Sequence, residues 1–83
     1  MPLELGATAA LTGTVSVEDA EPLASWLRDH HDAHVDLSGA THLHTAALQA
    51  LLCAQPTITA PPADEFLRRW ILPLLTRDPE LEQ

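Results

Sequence analysis

A chain of 83 residues with a formal charge of −8 has room for one small domain and presents no electrostatic footprint for a phosphate backbone or an anionic lipid surface. Its 46% hydrophobic and 19% charged content is that of a globular domain rather than a disordered segment, with twelve Asp and Glu against four Arg. The single cysteine, Cys53, excludes an internal disulfide and a cysteine-based zinc site. Met1-Pro2-Leu3-Glu4 has neither the basic start nor the apolar stretch of a signal peptide, and no apolar run approaches ~20 residues, so a cytoplasmic protein is expected.

Leu3-Glu4-Leu5 alternates apolar with polar as a half-buried strand does, and Thr8 to Thr12, closed by Gly13, reads as a second strand joined to it through a hairpin at Gly6. Ser16-Val17-Glu18-Asp19 fits a capping box, a hydroxyl cap with an acid three residues on, and Glu18, Asp19 and Glu21 suit the positive end of a helix dipole. Ala20, Leu23, Ala24 and Leu27 then recur at helical spacing, predicting an amphipathic helix over 17–30, with Pro22 tolerated near its first turn. His34 to Gly39 reads as a strand with Val35 and Leu37 on one face, ended by Ser-Gly. Residues 40–44 are expected as a loop, and Thr45 to Ala54, rich in Ala and Leu with Leu48, Leu51 and Leu52 as its stripe, as a second helix stopped by Pro56.

Thr57-Ile58-Thr59-Ala60 is a β-branched run and the last strand. Pro61-Pro62 open a third helix with Phe66, Trp70, Ile71 and Leu74 on its inner face, and Pro73 kinks or ends it. The order β-β-α-β-α-β-α implies right-handed crossovers and a small, mostly parallel four-stranded α/β sheet with about three helices over one face. One domain over 1–76 is expected, followed by an acidic, frayed tail over 77–83.

Leu11-Thr12-Gly13-Thr14-Val15, the helix after it, Val35-Asp36-Leu37-Ser38-Gly39 and then Leu43-His44-Thr45-Ala46-Ala47-Leu48-Gln49 together resemble the STAS domain family, over about residues 8 to 55. That family includes the anti-sigma-factor antagonists and small MlaB-type proteins of lipid-transport complexes. The resemblance implies a STAS-like fold, a protein partner such as an anti-sigma kinase, another switch protein or a transporter ATPase subunit, and phosphorylation of a loop hydroxyl that falls here on Thr45. The chain departs from the family at two positions: His44 stands where the family has Asp, and Ala47 where it has Gly.

Thr45 has two roles open to it. As a helix cap its oxygen accepts a backbone N–H, worth about 1 kcal/mol. As a phospho-acceptor it places a group of about −1.5 to −2 charge on unpaired N–H groups at a helix start, where it breaks an interface by repulsion and desolvation. His30, His31, His34, His42 and His44 crowd into fifteen positions. They fit carbonyl contacts at a helix end, a pH-sensitive contact, or a metal or ligand sensor, although no spacing completes a metal-ligand set. Asp36 is expected to accept hydrogen bonds from a neighbouring loop, Cys53 to be a small buried residue, and Trp26 and Trp70 to belong to the core. An exposed Trp would instead mark an interface.

No phosphate-binding glycine loop, nucleophile elbow, HExxH motif or pair of catalytic acids is present, so no enzymatic activity and no cofactor are expected. The expected function is a regulatory protein-binding module using Thr41, His42, His44, Thr45, Ala46, Leu48 and Gln49 against a partner with a basic or mixed face. A constitutive subunit of a larger complex and a histidine-based sensor are the alternatives. Self-association as a homodimer is compatible with exposed Trp or Leu, whereas nucleic-acid binding and membrane insertion are not expected.

Overall fold

The computed structural model describes residues 2–75. Four strands form one mixed sheet in the order β1-β2-β3-β4, comprising β1 (Leu3–Leu5), β2 (Ala9–Val15), β3 (His34–Leu43) and β4 (Thr57–Ala60). β1 runs antiparallel to β2, whereas β2–β3 and β3–β4 are parallel. The helices are α1 (Val17–Asp29), α2 (Thr45–Ala54) and a third that winds through a π-helical turn, Leu67–Ile71, into α3 (Leu72–Leu75). The architecture is the expected α/β order β-β-α-β-α-β-α. The tail over 77–83 lies outside the described residues.

Inward residues of the strands, Leu3, Ala9, Leu11, Val15, Val35, Leu37, Ala40 and Leu43, join Leu23, Trp26, Leu27, Ala47, Leu51, Leu67 and Leu75 from the helices in one apolar cluster. α1 contributes Ala20, Leu23 and Leu27 of the stripe that its sequence spacing predicts, with Trp26 in the core and Ala24 half-buried at its edge. Trp26 is buried and its indole N–H donates to the Gly6 carbonyl at 3.0 Å, so the polar edge of a core aromatic is paired with the β1–β2 turn.

The two central strands are longer than their local patterns indicate. β2 does not close at Gly13 but runs to Val15, and the expected loop over 40–44 is strand as far as Leu43. Alternation fails as a guide here because β3 carries two extra residues against β2. Pairing passes from Ala10–Asp36 to Thr12–Gly39, and from Gly13–Ala40 to Thr14–His42. Such bulges keep Val35, Leu37, Ala40 and Leu43 buried while breaking the period of two. Gly13 and Gly39 sit at these irregularities. Gly13 adopts φ 63°, and a Cβ on Gly39 would stand 2.8 Å from Thr12 Cγ2, so the strands approach there only because Gly39 has no side chain.

The third helix starts later than Pro61-Pro62. Pro62 is buried as part of the connection, and Asp64 Oδ2 accepts the Leu67 N–H at 3.1 Å in the manner of an N-cap. Pro73 neither ends the helix nor stands alone as a kink. A proline ring clashes with the carbonyl four residues before it, here that of Arg69. The wider turn, closed by the Leu72 N–H on the Leu67 carbonyl, accommodates it. The inner face is also rotated by one residue from the expected one. Leu67 and Leu75 are buried and Ile71 half-buried, whereas Phe66, Trp70 and Leu74 are exposed.

Candidate functional site

β2 and β3 are parallel neighbours, and each passes into its helix through a single residue, Ser16 for α1 and His44 for α2. Val15 and Leu43 pair at the strand ends, and the His44 N–H donates to the Val15 carbonyl at 2.8 Å. The starts of α1 and α2 therefore lie side by side at the C-terminal ends of the strands, the edge where α/β sheets generally bind their ligands.

The two helices satisfy their first turns differently. At α1, Asp19 Oδ2 accepts from both the backbone N–H and the hydroxyl of Ser16, each at 2.9 Å, which places the expected capping-box acid where the dipole favours it. At α2 the cap is His44, with φ −62° and ψ 149°, and not Thr45. His44 Nδ1 accepts the Ala46 N–H at 3.0 Å, which assigns the ring proton to Nε2. Thr45 is already the first helical residue, so its side chain comes one position too late to cap. It is exposed and makes no side-chain hydrogen bond among the described residues.

Of the residues expected to face a partner, Thr41, His42, His44, Thr45 and Gln49 are exposed, while Ala46 and Leu48 are half-buried against the core. Thr41 and His42 belong to β3 itself, so the surface is built on strand and helix with no loop between them. Thr14, opposite His42, is exposed, and Val17, the first residue of α1, is 56% exposed. The patch is thus polar, with one apolar contribution from the neighbouring helix start.

The five histidines have no common point. His30 ends α1, where its Nδ1–H donates to the Trp26 carbonyl at 2.7 Å and its ring stacks on Trp26 at 4.2 Å, a carbonyl contact of the expected kind. His34 opens β3 and His42 lies near its end, and a ten-residue strand separates its ends by ~30 Å. Among the described residues no group of three His, Cys, Asp or Glu side chains converges on a metal position.

Asp36 accepts the Ser38 N–H at 2.8 Å, from its own strand rather than from a loop. Hydrogen bonds from the backbone and side chain of Ser38 hold its carboxyl below the usual range. It pairs opposite Ala60 in the half of β3 away from Thr45.

Two surface features escape a reading of single motifs. An open groove of about 650 Å³ lies between α1 and α2, lined by the small side chains Ala20, Ala24, Ala46 and Ala50 together with Arg28 and Cys53. Cys53 is exposed there, not buried, because α2 turns Ala47 and Leu51 to the core. The second feature is the row Phe66, Trp70 and Leu74 on the third helix, which a repeat of four residues signals but which a parallel row, Leu67, Ile71 and Leu75, duplicates. No helix among the described residues is long and apolar enough to cross a membrane. Compared with protein-family models, with curated proteins and with solved structures, the chain gives no match.

Proposed function

We propose that this domain is a non-catalytic protein-interaction module whose contact surface is the paired helix starts around Thr45, and that a phosphoryl group on Thr45 switches the contact. One observation carries this reading: His44 takes over the capping of α2 and leaves the Thr45 hydroxyl exposed and uncommitted. A threonine that caps its helix would have to surrender that bond to be modified, whereas this one has none to surrender. The same position supplies N–H groups and a favourable dipole for an added phosphate. Added there, about −1.5 to −2 charges repel the acidic groups of a mixed partner face and place a strongly hydrated group where docking requires desolvation. The element order and the mixed sheet support the STAS resemblance from which the switch was expected, and the net charge of −8 steers the module toward a basic or mixed partner face.

Affinity capture from the native cell with wild type, Thr45→Val and Thr45→Glu baits, followed by mass spectrometry of bait and partner, tests the proposal. The expected result is a partner retained by Thr45→Val and lost by Thr45→Glu, with a bait fraction heavier by ~80 Da, the mass of one phosphoryl group. A partner held equally by all three baits, with an unmodified mass, replaces the switch by a constitutive subunit.

A further inference from the structure

We propose that His44 makes the passage from β3 into α2 a proton-sensitive joint: the ring caps α2 only in its neutral form, and a proton on Nδ1 releases the Ala46 N–H at the surface beside Thr45. The Ala46 N–H donates to His44 Nδ1 at 3.0 Å, and an imidazole nitrogen accepts only through a lone pair that a proton would occupy. A serine, asparagine or aspartate cap keeps its acceptor throughout the neutral range, whereas histidine is the side chain that changes charge between about pH 5 and 8. The helix start acts in the same direction, because its dipole opposes a cation placed there. The rest of the join does not depend on the ring. The His44 N–H donates to the Val15 carbonyl at 2.8 Å, and the His44 carbonyl accepts the Leu48 N–H at 3.0 Å, so backbone bonds hold strand and helix together in either state. Protonation therefore alters the first turn without unfolding α2. It turns an edge whose donor is satisfied into one that presents a free N–H and an imidazolium together.

His30 supplies the contrast within the same chain. At the C-terminal end of α1 its Nδ1–H donates to the Trp26 carbonyl at 2.7 Å, a bond that the neutral and the charged ring both make. The surroundings of His44 hold few other groups that titrate. α2 has none except Cys53 near its far end, and β2, β4 and α3 have none. On the elements packed at this edge the remaining ones are His42 on β3 with Glu18 and Asp19 in the first turn of α1, and Asp19 is held by Ser16. Glu21 lines the groove beside Ala46, and Arg28 lies further along it toward Cys53. None of these side chains is hydrogen-bonded or ion-paired to His44 among the described residues. The proton sensitivity belongs to the unmodified chain, and only its use in a partner contact rests on the reading of Thr45 given above.

The test is nuclear magnetic resonance on the nitrogen-15-labelled chain, titrated from about pH 8 to about pH 5.5, the range in which histidine changes charge. At the upper end the ring nitrogen shifts of His44 are expected to show an unprotonated Nδ1, joined to the Ala46 amide by a scalar coupling across the hydrogen bond. As pH falls the coupling is lost, and the Ala46 amide resonance moves with the same midpoint as the His44 ring. In His44→Asp the Ala46 amide stays fixed over this range, because a carboxylate remains ionised, and in His30→Gln it moves as in wild type. An Ala46 amide that does not respond while the His44 ring titrates overturns the proposal, as does an Nδ1 already protonated at the upper end. So does a response that persists in His44→Asp, which assigns the proton to His42 or to a carboxylate of α1. Loss of the amide signals of all of α2 on acidification also overturns it, since the helix would then depend on the ring. The chain carries no phosphate and meets no partner in this titration, so failure here leaves the reading of Thr45 to its own experiment.

Discussion

α1 and the helix after β4 are both amphipathic at helical spacing, yet α1 commits its one apolar stripe to the core while the other divides its apolar residues between core and solvent. On α1, Glu18, Glu21, Ser25 and Arg28 occupy the side away from Ala20, Leu23, Trp26 and Leu27, so only one rotation about the helix axis buries apolar surface without burying charge. On the third helix, Phe66, Trp70 and Leu74 compete with Leu67, Ile71 and Leu75, and Arg68 and Arg69 exclude only the remaining side. A helix with one apolar face specifies its packing. A helix with two leaves one of them in solvent.

Truncation of Trp26 is the largest effect expected. Trp26→Ala removes a buried ring, its hydrogen bond to Gly6 and the stack with His30, at a cost of about 3–5 kcal/mol in a urea titration. A domain of this length holds roughly 4–12 kcal/mol in total, so the variant is expected to lose a large share of its stability. Leu67→Ala, the equivalent deletion on the third helix, costs about 2–4 kcal/mol by the same measurement.

The two helix starts differ by less. Asp19→Ala removes the acceptor of two bonds at Ser16 and costs about 1 kcal/mol. His44→Ala costs about 0.5–1 kcal/mol, while His44→Asp, which supplies a stronger cap at the same backbone geometry, leaves the thermal midpoint unchanged or raises it. A loss of stability in His44→Asp equal to that in His44→Ala would show that the imidazole does more than cap.

Phe66→Ala and Trp70→Ala are expected to change stability by less than about 0.5 kcal/mol, because both side chains are largely in solvent. This is the sharpest way to break the comparison: a cost for Trp70→Ala approaching that for Leu67→Ala would place the outer row in the core. The smallest effect belongs to Asp36, which lies on neither helix. Its folded-state carboxyl is held below the ordinary 3.8, so the stability it adds is present above that pH and is lost as pH falls through the lower folded value. The difference in stability between wild type and Asp36→Asn is therefore constant near neutrality and shrinks in acid titrations below about pH 3.8, leaving the contrast between Trp26 and Trp70 unaffected.

Legibility in the sequence follows the same division. The capping acid of α1, the span Thr45–Ala54 and the strand Thr57–Ala60 stand where residue pattern places them, because each depends on neighbours within a few positions. The expected surface around Thr45 is exposed at Thr41, His42, His44, Thr45 and Gln49, but its backbone is strand and cap rather than loop. Ser38-Gly39 looks like the end of a strand because glycine usually marks one, whereas here it admits the close approach of Thr12 from the next strand. Thr45 looks like a cap because histidine is a weak signal for that role, although its Nδ1 accepts a hydrogen bond as a hydroxyl oxygen does.

The sequence alone determined the element order, the α/β class and the buried stripe of α1, since periodicity, proline and helix-start chemistry act locally and each had one consistent solution. Tertiary structure decided the rest. Pairing with β2 carried β3 through two bulges to Leu43, and that extension set His44 rather than Thr45 at the helix start. Packing chose Leu67 and Leu75 over Phe66 and Trp70, because two stripes of similar hydrophobicity differ in energy only through what each meets across the core.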